Sequence, residues 1–362
     1  MAGFSLLRSR RLALEVRQRI PPGRRFAIIL GAVIFGLAVC AGILLGRGVG
    51  LASIYEEFVA FTFFNAAGIS TVIVQSTPLV LAGLSAAFAF RVNFWNIGIE
   101  GQLFMGVIGA TLLAIHDVGP DGIRLVLMLV FSVAFGALWA LPTAVLKLRL
   151  NVNEVITTLL FNYLAFYFVL NQVYGPWKDQ RDKFPHSEQY DAIERLPLIG
   201  WEQVHYGIVV AAAAVAAAWW LIERSRFGIQ SRFVGASPRM ALPIGLPVAA
   251  ITSASVLLSG GMAGGAGFVI AAATEFRLTP AMAAGYGFSG IVIAFLAGNR
   301  PIAVLIVAFL MGGLYVAGES MKVFYNLPDA LVGLIQAIIV LSVTASEFFI
   351  RYRLRVARYR GG

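Results

Sequence analysis

The residues best placed to do chemistry lie in one short stretch, Arg91-Val-Asn-Phe-Trp-Asn-Ile-Gly-Ile-Glu-Gly-Gln102, with apolar runs on both sides. It holds Asn93, Asn96, Glu100 and Gln102 beside Trp95 and two glycines. Polar, glycine-punctuated backbone is tolerated at membrane depth only where it is buried in protein or lines a water-filled cavity. A carboxylate there is a candidate functional group by default, as a proton carrier or as part of a polar path. Two structural roles compete with that reading. Glu100 could cap the next helix, or pair with Arg91. Gln75, Ser76, Asn162, Asn171 and Gln336 add further polar groups inside apolar runs. Together with the aromatics Trp95, Tyr163 and Phe288, these carboxamides are candidates to line a polar cavity. The alternative is that these amides bond helix to helix, each contributing about 0.6–2 kcal/mol.

Other chemistries find no residues. No Gly-x4-Gly-Lys-Ser/Thr run cradles a nucleotide, and no nucleophile–base pair presents itself. His116, His186 and His205 all fall at outer-side positions and read as solvated or interfacial. The single cysteine, Cys40, sits in an apolar run, which excludes an internal disulfide and a cysteine-rich metal site. The expectation is therefore a protein that is not an enzyme, with no metal and no cofactor. Gly260-Gly-Met-Ala-Gly-Gly-Ala-Gly267 lies in an apolar run. It reads as close helix packing through Gly260…Gly264 and Gly261…Gly265, not as a phosphate site.

The elements that must position these groups follow from composition. Of 362 residues 59% are hydrophobic and 13% charged, where soluble domains carry roughly 25% charged residues; mean hydropathy is +0.83. The fold class is all-α, a polytopic transmembrane helical bundle of about ten spans. The runs are Phe26–Gly46, Ala66–Phe90, Leu103–Ile115, Ile123–Leu146, Val155–Val173, Tyr206–Ile222, Val248–Ala273, Ala281–Ala297, Pro301–Ala317 and Leu327–Ser346. Pro78 is expected to kink or break the second. The third is short, so its helix either begins inside the polar stretch or is a half-helix. Residues 26–350 form the transmembrane domain, between a basic N-terminal tail (1–25), which does not read as a cleavable signal, and a basic C-terminal tail (351–362). Polar segments at 174–205 and 223–247 are an outer loop and a cytoplasmic loop. Ten crossings leave 20 of the 28 Lys and Arg on the side of both tails. The positive-inside rule makes that side the cytoplasm of a cell (inner) membrane. The net charge of +10 thus records orientation, not nucleic-acid binding.

The cytoplasmic loop carries one local signal. Ser237 is a good N-cap and Pro238 a good first-turn residue, predicting a short helix over Pro238–Leu242 that ends before Pro243. Met240, Ala241 and Leu242 have no lipid there to bury in. They either pack on the chain's own helix ends or dock into a groove on a cytoplasmic partner.

Phe233-Val-Gly-Ala-Ser-Pro-Arg-Met-Ala-Leu-Pro-Ile-Gly245 resembles the coupling-helix loop of ABC importer permeases of the branched-chain amino acid/ribose/nucleoside type, typically "VGxNPxAAxxxGI". Asn93-Phe-Trp-Asn-Ile-Gly-Ile-Glu-Gly-Gln102 resembles that family's "FNIGxEGQ" signature. Asn153–Tyr163, Gly285–Ala294 and Ile335–Leu341 are similar to further family segments, so the resemblance covers Thr77 to Val343. Gly175-Pro-Trp-Lys-Asp179 followed by Phe184-Pro185 looks most like the nucleoside permeases paired with Bmp-type binding lipoproteins. The resemblance implies a subunit that docks a cytoplasmic ATPase through Gly235, Ala236, Ser237, Pro238, Arg239, Met240, Ala241 and Leu242. It also implies a second permease subunit, similar or identical, and an extracytoplasmic binding protein. The translocation path it implies draws on Asn93, Trp95, Asn96, Glu100, Gln102, Asn162, Asn171, Phe288 and Gln336. A simple-sugar permease is the alternative within the family, and a proton-coupled secondary transporter the alternative outside it.

Overall fold

A computed structural model describes residues 10–17, 20–181, 183–282 and 285–358. The chain divides into two compact units, one from the residues up to Tyr55 with those from Met321 onward, the other Glu56–Ser320.

In the first unit α1 (Pro22–Gly46) packs on α14 (Asp329–Arg351). Gly36 lets the backbones approach, lying against Ile339 and Ser342, and the Cys40 thiol donates to the Ile335 carbonyl at 3.5 Å. A short helix α2 (Leu51–Tyr55) follows α1. The two basic tails are not plain extensions. β1 (Arg10–Val16) pairs antiparallel with β2 (Tyr352–Arg358), with Val16 opposite Tyr352. A ribbon joining the tails requires both on one side of the membrane, as an even number of crossings does.

The second unit holds the polar stretch. After a π turn (Glu56–Phe61) and α3 (Thr62–Phe64) come α4 (Ala66–Arg91) and α5 (Ile99–Ala114). Next are α6 (Arg124–Leu150), α7 (Glu154–Tyr174) and α8 (Gly207–Trp219), which runs on as a π turn to Arg224. Between α8 and α11 the arm is α9 (Arg226–Ala236) and α10 (Pro238–Ala241). Then come α11 (Val248–Ile270), α12 (Tyr286–Leu296) and α13 (Pro301–Tyr325), the last running on past the boundary at Ser320. Starts follow the caps that short polar side chains provide: Asn65 accepts from the Ala67 N–H, Asn153 from Val155 and Ser225 from Gly228. Of the two outcomes expected at Pro78 the break does not occur: α4 runs unbroken through it, among buried neighbours.

Among the described residues eight helices are long and apolar enough to cross a membrane, and α5 and α12 are shorter apolar helices. Each of the ten falls on one of the ten apolar runs. At 1.5 Å per residue α5 reaches about 24 Å and α12 about 16 Å, short of the roughly 30 Å hydrocarbon core. The central pair is α4 and α11, whose most apolar windows are 83% and 78% buried against 22% for α6. Where α11 meets α5 and α6 the contacts are glycine on backbone. A Cβ at Gly264 would overlap the Ser132 carbonyl, one at Gly136 the Gly260 carbonyl, and one at Gly106 the Gly264 backbone.

The outer segment after α7 is packed, not draped. Tyr190 is buried and shares a hydrogen bond with Thr111 of α5 at 2.6 Å, and the Leu196 N–H donates to the Ala272 carbonyl. Arg124 pairs with Asp117, Asp121 and Glu194 at 2.7–3.0 Å. His116 is exposed, but His186 and His205 are buried and not solvated as expected; burial lowers the His205 imidazole from its ordinary range.

Candidate functional site: the polar turn and the coupling arm

α4 ends at Arg91, and the chain turns back on itself before α5 begins at Ile99, inside the polar stretch. Asn93 takes the turn with a left-handed backbone (φ 56°), a conformation asparagine tolerates better than most residues. Phe94 is buried between exposed Asn93 and Trp95, and the Trp95 ring packs on Phe90 at 5.2 Å between centroids. The turn therefore presents Asn93 and Trp95 outward and buries everything from Asn96 to Gln102 except Ile97, which is part-buried.

Every buried polar side chain of the turn has a partner. Asn96 Nδ2 donates to Gln102 Oε1 (3.0 Å) and to Ser259 Oγ of α11 (2.9 Å). Its Oδ1 accepts from the Gly98 N–H and from Gln102 Nε2. Ser259 in turn shares a hydrogen bond with Ser85 of α4. From α7, Asn162 Oδ1 accepts the Gly101 N–H at 2.8 Å while its Nδ2 donates to the Ile97 carbonyl, and Thr158 Oγ1 accepts the Ile97 N–H. A loop that departs from helix at membrane depth must satisfy its freed backbone groups internally, and these carboxamides do so.

Glu100 does cap a helix, though not the one that follows it. Its Oε1 accepts the Gly285 N–H (2.7 Å) and its Oε2 the Gly287 N–H (2.6 Å), at the N-terminus of α12, 185 residues further along. Gly285 sits at φ 89°, open to glycine. The first N–H groups of a helix lack intrahelical acceptors, and their positive end of the dipole favours a carboxylate. Ser289 steadies the same end, donating to the Gly285 carbonyl and sharing a hydrogen bond with Tyr315 of α13.

The other candidates scatter. Phe288, in the first turn of α12, is 46% exposed. Asn171 lies on the exposed side of α7, while its neighbour Gln172 is buried. Gln336 is part-buried on α14, in the other unit. Sequence reasoning missed Ser85, Thr158, Ser259, Ser289 and Tyr315. A serine directly before the Gly260-Gly261 pair was the available signal for Ser259.

On the arm, Ser237 accepts the Met240 N–H and Pro238 opens α10. The three apolar residues divide. Ala241 is buried (1% exposed) in an apolar cluster with Val234, Val92 and Phe94, whereas Met240 and Leu242 are 73% and 61% exposed. The three thus divide: Ala241 packs inward on the chain's own helix ends, while Met240 and Leu242 face out.

Ten apolar helices among the described residues, and in the second unit a polar turn whose buried side chains are all bonded, define a multi-pass membrane protein of the permease class. The chain belongs to the family described as branched-chain amino acid transport system / permease component, which it matches over residues 68–344. It is 34% identical over 334 residues to the guanosine ABC transporter permease protein NupP of Bacillus subtilis (strain 168), covering 91% of this chain and 96% of the relative. It is 32% identical to the glucose ABC transporter permease protein TsgB13 of Haloferax volcanii (97% and 95% covered). With the nucleoside ABC transporter permease protein NupB of Lactococcus lactis subsp. cremoris identity is 25% (92% and 94%).

Proposed function

We propose that this chain is the membrane-spanning subunit of an ATP-driven importer, docking a cytoplasmic ATPase through α10 and taking up nucleosides handed over by an extracytoplasmic binding protein. The observation that carries the docking is the split on α10. A helix four residues long, capped at Ser237 and anchored by Ala241, holds Met240 and Leu242 out into solvent. Apolar side chains presented on a rigid element suit a groove on a partner, and burying such a side chain contributes about 1.5–3 kcal/mol. ATP binding would draw the ATPase subunits together and move this arm, switching the path between outward and inward access. The chain itself carries no nucleotide-binding run, so hydrolysis belongs to the partner.

Changing Met240 and Leu242 together to Glu is expected to leave the chain in the membrane, to remove the ATPase from the purified complex, and to reduce uptake to background. Normal co-purification and uptake in that variant would refute the docking.

Nucleosides as cargo are supported by the relatives. Two B. subtilis proteins named as guanosine permeases, NupP and NupQ, resemble the chain at 34% and 26% identity. Two permeases for one cargo also favour a second, similar permease beside this one. The exposed Trp95 and Phe288 suit a path for a base, because stacking on an aromatic is tolerant of which base it is and contributes about 1–3 kcal/mol. Asn93 offers a donor and an acceptor for ribose hydroxyls or ring nitrogens. In this reading Asn96, Glu100, Gln102 and Asn162 hold the path's shape. TsgB13 favours a second cargo, a simple sugar. Vesicles loaded with ATP and given the cognate binding protein separate them: guanosine, free bases, ribose and glucose are offered in turn. Accumulation of nucleosides alone is expected; accumulation of glucose alone would replace the cargo. Uptake driven by a proton gradient without ATP would overturn the importer reading.

A further inference from the structure

Among the contacts that join the polar turn to the arm, one side chain carries the hydrogen bonds. Arg91, the last residue of α4, directs its guanidinium toward the arm. Its Nη2 donates to the Ile222 carbonyl (3.0 Å) and the Gly228 carbonyl (2.9 Å), and its Nε to Ser231 Oγ (3.1 Å). Ile222 lies in the π turn that ends α8 at Arg224, where carbonyls are left without intrahelical donors and a cation is favoured. Gly228 and Ser231 are the buried face of α9. The backbones also touch: a Cβ at Gly235, near the end of α9, would overlap the Arg91 carbonyl. Below them Val234 and Ala241 share an apolar cluster with Val92 and Phe94. A cavity of about 1020 Å³ opens beside this junction, lined by Arg91, Ile222, Gly228, Arg232, Phe233 and Arg300 among others. The arm is therefore tied to the end of α4 at Arg91 and the residues next to it, and it also packs on α11 through Val234.

We propose that Arg91 is a positioning residue for coupling: its guanidinium fixes α9 to the end of α4, so that a displacement of the arm is delivered to the Arg91–Gln102 turn. From there the bonded chain Asn96–Ser259, Asn162–Gly101 and Glu100–Gly285 spreads it to α11, α7 and α12. A fork with donors on two nitrogens grips two carbonyls and a hydroxyl at once, which a lysine ammonium cannot reproduce in the same geometry. The inference rests on α10 as the ATPase dock, and the two fail differently.

The test uses the whole assembly in vesicles: this chain, its permease partner, the ATPase and the binding protein. ATP hydrolysed and substrate accumulated are measured on one sample, and ATPase co-purification on another. In Arg91→Ala the ATPase is expected to co-purify still while uptake per ATP falls about tenfold, within the range of measured coupling factors; Arg91→Lys is expected to recover part of the ratio. If Arg91→Ala does not accumulate, Gly235→Ala is read instead, because it pushes α9 off the Arg91 carbonyl while leaving the guanidinium in place. The same fall in ratio is expected there. A wild-type ratio in whichever of the two accumulates would overturn the proposal, as would loss of the ATPase from the Arg91→Ala complex, which would make Arg91 part of the dock. Failure of the docking reading shows separately, as Met240/Leu242→Glu chains that keep the ATPase.

Discussion

Glu100→Gln is expected to cut uptake about tenfold and to lower the thermal midpoint of the detergent-solubilised complex, with Glu100→Ala lower still. The carboxylate presents one oxygen to the Gly285 N–H and the other to the Gly287 N–H. An amide of the same shape keeps a single acceptor and turns an NH2 toward the second donor. One charge-assisted bond is lost, and such bonds contribute about 1.5–3 kcal/mol, while the buried N–H left unpaired costs about 1–3 kcal/mol. The negative charge at the positive end of α12 is lost as well. Because Phe288 stands in that first turn, loosening α12 moves an aromatic surface proposed for the path, so uptake should fall together with stability. The variants also decide against the alternative chemistry. If Glu100 carried protons, Glu100→Gln would abolish a response to the proton gradient while leaving α12 as stable as before. In the importer the residual uptake stays strictly ATP-dependent. A Gln variant with wild-type midpoint and wild-type uptake would remove the cap from the account.

What the sequence made legible here was the stretch and not its partners. Asn96, Glu100 and Gln102 stand out because charged and amide groups are rare in an apolar chain. The groups that meet Glu100 are backbone N–H donors of two glycines 185 residues away, and no side-chain pattern marks a backbone donor. Asn171 shows a second limit. One step along a helix turns a side chain by about 100°, so Asn171 is exposed and Gln172 buried. On a helix apolar nearly all round there is no polar face from which to fix that phase. The outer segment failed for another reason. His186 and His205 are polar residues in a polar loop, and only the docking of that loop on α5 and on the turn that follows α11, through Tyr190 and Leu196, buries its interior. By contrast the α10 start was legible in full, because a cap is local: Ser237, Pro238 and the Met240 N–H lie within four residues.

Gly264→Leu is expected to prevent the assembled chain from accumulating, and Gly264→Ala to lower its thermal midpoint by several degrees, while Gly265→Ala stays close to wild type. The two small-residue rows in Gly260–Gly267 are equivalent on paper, and packing separates them. Gly260 and Gly264 face α6, where a Cβ would meet the Gly136 carbonyl and the Ser132 carbonyl respectively. These are backbone atoms of a neighbouring helix, so they move only if the helix moves. Gly261 and Gly265 meet chiefly the Val133 side chain, at 3.2 and 3.8 Å, which can rotate. Overpacking a tight core typically costs about 1–3 kcal/mol, and more where backbone must shift. The contact at Gly264 is also shared three ways, since Gly106 of α5 and Gly136 of α6 both close on it. Without a hydrophobic drive between helices in lipid, such close approach supplies much of the attraction that holds α5, α6 and α11 together. The consequence reaches the polar turn. Ser259 lies five residues before Gly264 on α11 and holds Asn96 at 2.9 Å. A helix forced outward at Gly264 draws Ser259 off Asn96 and leaves a buried amide donor short of a partner, a further cost of about 1–3 kcal/mol. Ser259→Ala, which removes the acceptor and leaves the packing untouched, is accordingly expected to be milder than Gly264→Ala. The reverse order of midpoints would mean that the amide network, and not glycine packing, sets the position of α11.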